Sequence, residues 1–262
     1  MESQILYIQQ LPDILAYYGG GLNGHIGAYS FLTLVGVALI IITGIIGAII
    51  QNRLKAAMTR YSAVYVPMTG AQVAQQMLHD HGIYDVRVTH TPGRLTDHYN
   101  PADKTVNLSD TVYSQPSIAA MAVAAHECGH AIQHAQAYPW LGLRSQLVPM
   151  VNIGAKIGQF VLIAGLILLS LGNGATVAWV GLALFGSTAL FALVTLPVEL
   201  NASQRALQWL EHSGYARGEL HSNASSALRW AAMTYVAAAL SALAMVLYYA
   251  FIILSRSRGD RR

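Results

Sequence analysis

Two histidines four residues apart, with a glutamate directly after the first, stand in the stretch AAHECGHAIQ, residues 124–133. On an α-helix, residues i and i+4 lie on the same face, so His126 and His130 can direct two imidazole nitrogens at one ion. Glu127 lies close to that face and can accept a proton from a water molecule that attacks a carbonyl. This H-E-x-x-H spacing is typical of zinc metallopeptidases.

The motif is rare by chance in a chain of this composition. The sequence has ten histidines and five glutamates among 262 residues, so a shuffled copy contains the pattern with a probability on the order of one in a hundred. The alternative is a pair of helix histidines satisfied by packing. Cys128 lies inside the motif, but zinc usually takes several thiolates when it takes any, so we interpret this cysteine as a packing residue.

A catalytic zinc ion needs a third protein ligand and an open position for water. His134 lies one helical turn beyond the motif, but the winding of the helix rotates it away from the other two histidines. A glutamate from a later helix is the other source. Glu2 is excluded by its position near the N-terminus, and Glu127 is excluded by its role in the motif. Three glutamates remain as candidates: Glu199, Glu211 and Glu219.

Glu199 is the strongest of these three candidates. It follows Pro197 at the junction between an apolar run and a polar one, in LPVELNASQRAL. A carboxylate at the end of an apolar run is costly unless it is paired or bound to a metal. The alternative is a solvated glutamate in the first turn of a new helix, where the helix dipole favours a negative charge.

The composition predicts that these residues are carried by a membrane protein. The chain is 54% hydrophobic and 10% charged, whereas soluble domains carry about 25% charged residues. Its mean hydropathy is +0.43. About 20 apolar residues cross a bilayer, and four apolar runs are candidates, at 29–50, 157–171, 176–198 and 231–254. No basic stripe interleaved with aromatic residues is evident, so we expect no nucleic-acid binding.

The more polar stretch between the first two runs is predicted to form an extramembrane domain that holds the motif. Residues 117–138 predict the motif helix, and a span is rejected there because a glutamate, three histidines and two glutamines would face lipid. Thr69 and Gln72 form a capping box for a helix over 69–82. Alternation predicts strands, which we assign to 61–66, 84–90 and 104–109.

This pattern divides the chain into six segments. They are 1–28, an N-terminal segment; 29–51, the first transmembrane helix; 52–148, the extramembrane domain; 149–198, a hairpin of transmembrane helices 2 and 3; 199–229, a polar segment with the third-ligand candidate; and 230–262, helix 4 with a basic tail. If all four segments span, 52–156 and 199–229 lie on one side and hold 11 of the 15 Lys and Arg. The positive-inside rule then favours a cytoplasmic domain, although the arginine tail argues against it.

Longer stretches around HECGH carry a more specific pattern. They are LTDHYNP (95–101), LSDTVYSQPSIAAMAVAAHECGHAIQ (108–133), LRSQLVP (143–149), LVTLPVELNASQRAL (193–207) and AAMTYVAAAL (231–240). With them the chain resembles the YugP-like family of prokaryotic membrane zinc metallopeptidases. The resemblance implies an α+β, mainly helical, multi-pass protein of the prokaryotic inner membrane, with about four transmembrane helices. A small sheet and the active-site helix would form its zincin-like domain.

The same resemblance implies the ligand set and the base. One Zn²⁺ ion would be held by His126, His130 and Glu199, with Glu127 as the general base. The E-x-x-A spacing that starts at Glu199 is also similar to the third-ligand segment of Ste24 and HtpX membrane peptidases. Those carry an aspartate after the alanine, whereas this chain has a serine, so the residue that orients a zinc-binding histidine stays open among three candidates: Asn201, Ser203 and Arg205.

The stretch LTDHYNP offers a second catalytic candidate. It lies between predicted strands, where zincins often bind substrate as an added strand. His98, or else Tyr99, could donate a hydrogen bond to the oxyanion of the scissile carbonyl. The alternative is a plain turn, since Asp, Asn and Pro are turn formers.

The leading hypothesis is therefore an integral-membrane zinc endopeptidase that acts on peptides or membrane proteins at the bilayer. The rival hypothesis is a non-catalytic membrane scaffold or chaperone with a structural metal site. The presence of Glu127 argues against the rival, because a structural site needs the histidines but not the base. A transporter is disfavoured because the apolar runs hold almost no ionisable residues.

Overall fold

The computed structural model describes residues 28–259, and the predicted N-terminal segment lies almost entirely outside this range. The described part contains seven α-helices and three β-strands. The helices are α1 (Ala28–Ser62), α2 (Gly70–Asp80), α3 (Asp110–Ser114), α4 (Ile118–Ala135), α5 (Pro139–Ser170), α6 (Ala175–His212) and α7 (Glu219–Gly259), and the strands are β1 (Arg87–Thr91), β2 (His98–Asn100) and β3 (Thr105–Ser109).

Four of these helices, α1, α5, α6 and α7, are long and apolar enough to cross a membrane. Together with the small sheet they confirm the predicted α+β, mainly helical fold class. The candidate spans have 32 to 38 residues. A 38-residue helix is about 57 Å long, whereas the hydrocarbon core of a bilayer is about 30 Å thick. Much of each longer helix therefore extends beyond the bilayer.

These extensions build the core of the extramembrane region, with the motif helix α4 at its centre. The last turns of α1, the second half of α6 and the first turns of α7 all contribute buried apolar side chains to one cluster with α2, α4 and β3. Residues of α4 such as Met121 and Ile132 are almost fully buried there. The motif is therefore held by the same helices that are long and apolar enough to cross a membrane.

The sheet has the strand order β1-β3-β2, with β1 parallel to β3 and β2 antiparallel to it. The predicted strands at 84–90 and 104–109 correspond to β1 and β3. The predicted strand at 61–66 is wrong: α1 continues to residue 62, and only an isolated bridge joins Tyr65 to Ser117. The strand β2 instead occupies the turn-forming stretch LTDHYNP, where tertiary pairing with β3 overrides local turn preference.

Local capping signals are reproduced where they depend on neighbouring residues alone. Thr69 accepts a hydrogen bond from the Gln72 backbone, and the Gln72 side chain accepts one from the Thr69 backbone, so the predicted capping box at α2 is confirmed. At α4, the Ser117 hydroxyl accepts from the Ala120 backbone.

Helix α6 continues through Pro197 to His212 without a break. A proline inside a helix removes one backbone hydrogen bond and disfavours the preceding turn. Packing against several neighbouring helices offsets that cost here. Glu199 therefore stands in the middle of a long helix, not in the first turn of a new one. The division of the chain into six segments, including the boundary at residue 198, stays a prediction.

Candidate metal centre

Two helices approach each other closely where α4 crosses α6, at Gly129 and Ala202. A Cβ added to Gly129 would lie 2.6 Å from the Ala202 carbonyl oxygen and 3.0 Å from its Cα. A residue with a side chain would have to push the two backbones apart, so glycine permits this approach. Glu199 lies nearly one turn before Ala202, and the contact sets it level with His126 and His130.

The close approach brings His126, His130 and Glu199 into one group that could hold a metal ion. The Nε2 atoms of His126 and His130 lie 3.3 and 3.5 Å from the same carboxylate oxygen, Oε2 of Glu199. The ligand atoms all lie within 4.8 Å of one another. Two ligand atoms each about 2.05 Å from a tetrahedral zinc ion are about 3.3 Å apart. The two distances from the histidines to Glu199 therefore fit zinc.

The second nitrogen of His130 is fixed by a buried chain of side chains. Its Nδ1 lies 3.0 Å from Gln133 Oε1, and the Gln133 amide donates to the Val198 carbonyl and to Asn201 Oδ1 at 2.8 and 3.0 Å. Arg205 Nε donates to the same Asn201 oxygen at 2.7 Å. Because Gln133 Oε1 can only accept, Nδ1 of His130 donates to it, and Nε2 is the nitrogen that faces Glu199 and could bind a metal.

The corresponding nitrogen of His126 has a simpler partner. Ser203 Oγ lies 3.1 Å from His126 Nδ1. Of the three residues left open by the sequence, Ser203 contacts a histidine directly, whereas Asn201 and Arg205 act through Gln133. The serine that replaces the expected aspartate therefore occupies an orienting position.

Charge within the group also suits a cation. Burial lowers the pKa of His130, but the neighbouring Glu199 carboxylate raises it overall. Burial raises the pKa of Glu127, against the opposing effect of the two histidines. Two imidazoles and a carboxylate form a donor set that zinc accepts, so the residues present fit the ion.

Glu127 lines a cleft of about 760 Å³ together with the three candidate ligands. It is only 8% exposed, and it does not belong to the ligand group itself. The cleft is also lined by the β2 region, with Asp97, His98 and Tyr99, and by the first turns of α5.

His98 lies on the exposed side of β2 at the cleft, and its Nδ1 is 2.7 Å from the Thr96 carbonyl oxygen. A carbonyl accepts only, so Nδ1 carries the proton and Nε2 of the neutral ring is an acceptor. Tyr99 is engaged elsewhere, because its hydroxyl lies 2.7 Å from His134 Nδ1. His134 is thus turned toward β2, as its rotation along the helix predicts.

Glu211 and Glu219, the other two glutamates considered as ligands, are not part of the group. Glu211 lies 4.0 Å from His221 in an exposed pair. Two residues that the sequence did not single out do reach the group. Arg144 Nη1 lies 3.4 Å from Glu199 Oε1, and Tyr235 lines the cleft and interacts with the same carboxylate. Their only signal in the sequence is that both stand in stretches that resemble the family.

A family model described as "Putative neutral zinc metallopeptidase" matches residues 36–254, which is most of the chain. This chain belongs to that metallopeptidase family. The membership confirms the resemblance inferred from the sequence stretches.

A curated relative of this family member is "Putative membrane protease YugP" of Bacillus subtilis (strain 168). The two are 40% identical over 207 residues, which cover 78% of this chain and 90% of the relative. The relative's name agrees with the four membrane-capable helices. No solved structure matches the chain at a significant level.

Proposed function

We propose that this family member is an integral-membrane zinc endopeptidase in which His126, His130 and Glu199 hold one Zn²⁺ ion. The observation that carries the proposal is the position of Glu127. Glu127 lines the same cleft as the three ligands but is not part of their group. A structural metal site does not need an additional carboxyl beside its ligands, whereas hydrolysis needs a general base there.

The roles follow from the contacts. A zinc ion bound there would act as a Lewis acid toward the scissile carbonyl and the water. Glu127 takes a proton from the water as its oxygen bonds to the carbonyl carbon. Glu127 then gives the proton to the leaving amine as the C–N bond breaks, so that it ends the cycle unchanged. Gln133 and Ser203 keep the two histidines oriented throughout.

The substrate is proposed to lie extended along β2. This strand is at the edge of the sheet, paired on one side with β3, and it borders the cleft. An edge strand offers backbone groups that a peptide can pair with. His98 is the proposed donor to the oxyanion, and its contact with Thr96 means that it donates from Nε2 only as the imidazolium.

The part of the cleft that α5 lines favours substrates near a membrane surface. Leu141 and Val148, in the first turns of α5, line the cleft, and α5 is itself a candidate span. We propose that the cleft accepts peptides, or segments of membrane proteins, that lie next to the bilayer. The proposed site of action is the inner membrane of a prokaryotic cell, with the cleft on the cytoplasmic side because of the excess of Lys and Arg there.

The test is to measure zinc content and peptide hydrolysis side by side in detergent for wild type, Glu127→Gln, Glu199→Ala and the control Glu211→Gln. Glu127→Gln keeps a similar shape but cannot take a proton. It is expected to retain zinc and to lose about 100- to 10,000-fold in kcat/KM. Glu199→Ala is expected to lose zinc, while Glu211→Gln behaves like wild type.

Two outcomes would count against the peptidase. Hydrolysis by Glu127→Gln at the wild-type rate would refute the role of the base. Stoichiometric zinc in every variant except Glu199→Ala, with no hydrolysis of a broad peptide library by wild type, would favour the scaffold or chaperone with a structural metal.

A further inference from the structure

The two oxygens of the Glu199 carboxylate have different surroundings. Oε2 faces Nε2 of both histidines, at 3.3 and 3.5 Å. Oε1 lies 3.4 Å from Arg144 Nη1. One oxygen is thus turned to the candidate metal position, and the other is turned to a cation that the chain itself supplies.

The residues that approach this carboxylate from outside the group come from two other helices. Arg144 belongs to α5 and Tyr235 to α7, and both line the cleft. The Tyr235 side chain lines the cleft and interacts with the Glu199 carboxylate. Glu199 is 2% exposed, so its carboxylate needs such partners, since an unpaired buried charge is costly.

We propose that Arg144 and Tyr235, which we name the Glu199 clamp, hold this carboxylate so that it binds the metal through one oxygen only. A carboxylate can bind a metal through one or both of its oxygens. Engagement of Oε1 by the guanidinium leaves Oε2 as the ligand. Three single ligand atoms then leave one tetrahedral position free, which a catalytic zinc site requires. Arg144 and Tyr235 act through Glu199 and are positioning residues.

The clamp links the metal site to the membrane helices. The histidines are fixed by α4 and by the α4–α6 contact, whereas the clamp depends on where α5 and α7 lie beside α6. Helices α5 and α6 form a hairpin, and α7 packs along α6. A shift of the first turns of α5, which carry Arg144, would therefore release Oε1 before it disturbed the histidines. The coordination of the metal thus depends on how α5 and α7 pack beside Glu199.

This inference rests on the proposed metal site, and it can be tested without any hydrolysis. Metal-depleted full-length protein in detergent is loaded with Co²⁺, and its visible absorption is recorded for wild type, Arg144→Gln, Arg144→Lys and Tyr235→Phe. Four-coordinate Co²⁺ absorbs intensely in the visible range, and higher coordination numbers absorb weakly. Lys156→Gln is the control, because it removes a charge from an exposed position on the same helix.

Arg144→Gln is expected to lose most of the intense absorption, because the second oxygen of Glu199 becomes free to bind. Arg144→Lys keeps the charge without the planar fork and is expected to fall between wild type and Arg144→Gln. Tyr235→Phe should change the spectrum in the same direction by less, and Lys156→Gln should match wild type. If Arg144→Gln does not fold, the cobalt spectrum of Arg144→Lys tests the clamp in its place.

An unchanged cobalt spectrum in Arg144→Gln and Arg144→Lys would overturn the clamp. If Arg144 acted only through its charge, its removal would strengthen metal binding and leave the spectrum as in wild type, which also overturns it. Cobalt bound by wild type without any peptide hydrolysis would count against the peptidase but not against the clamp. Failure of wild type to bind Co²⁺ or Zn²⁺ would overturn both.

Discussion

Glycines allow two different helices, α4 and α5, to pack very closely against α6. Only the contact with α4 forms part of the candidate metal site. In its first half, α6 meets α5, where a Cβ on Gly165 or Gly181 would collide with the partner backbone at Ala178 or Leu162. In its second half, α6 meets α4, where Gly129 lies against Ala202. Both contacts use glycine to let two backbones approach.

The difference lies in the residues beside each contact. Around the α5–α6 contact, the buried neighbours are apolar, such as Leu182 and Phe185. Around the α4–α6 contact they include Glu199, Gln133 and Ser203, all buried. Buried polar groups need partners, so the second contact has a set of directed hydrogen bonds that the first lacks. Close packing by itself thus gives stability, and it gives chemistry only where polar side chains flank it.

Among variants at the two contacts, Gly129→Ala is expected to weaken metal binding most. The added Cβ would lie 2.6 Å from the Ala202 carbonyl oxygen, so α4 and α6 must separate. Overpacking of this kind costs about 1–3 kcal/mol, or roughly 5- to 150-fold in zinc affinity if the strain is relieved by separating the ligands. Competition with a chromophoric zinc chelator measures the affinity.

Gly186→Ala is the matched control for this prediction. It lies on α6, the other helix of this contact, and a Cβ there would meet nothing within 4 Å. Its zinc affinity should equal that of wild type. Equal affinities for Gly129→Ala and wild type would mean that the α4–α6 contact does not set the ligand geometry.

The next-largest loss of zinc affinity is expected from replacing the polar side chains beside the α4–α6 contact. Gln133→Leu removes the group that bonds His130, the Val198 carbonyl and Asn201. Loss of a partner that orients a metal-binding histidine typically costs about 10- to 100-fold in metal affinity. Ser203→Ala removes a single contact with His126 and should lie at the lower end of that range. The same chelator competition ranks the two variants, and the reverse order would contradict this account.

The smallest effect on the metal is expected from Gly165→Ala, in the apolar contact. Its Cβ would collide with the Ala178 backbone, so the hairpin of α5 and α6 should lose about 1–3 kcal/mol of stability. Thermal unfolding in detergent measures that loss. The zinc affinity should stay within about threefold of wild type. The histidines belong to α4, and Glu199 lies about 30 Å further along α6 than Ala178. A metal loss as large as that of Gly129→Ala would remove the distinction between the two contacts.

The features that the sequence predicted are those set by local spacing. The helical period puts His126 and His130 on one face whatever surrounds them, and the capping box at Thr69 needs only the next three residues. The four apolar runs predict four membrane-capable helices because length and hydropathy suffice for that inference. Glu199 was favoured among three glutamates by its position at the end of an apolar run.

Tertiary structure alone decided the contacts between residues far apart in the chain. No local rule predicts that Gly129 lies against Ala202, that β2 forms in a turn-like stretch, or that α6 passes through Pro197. Arg144 and Tyr235 reach Glu199 only because α5 and α7 pack beside α6. The physical reason is that packing depends on the shapes of two surfaces that meet, and each surface is built from residues scattered along the sequence.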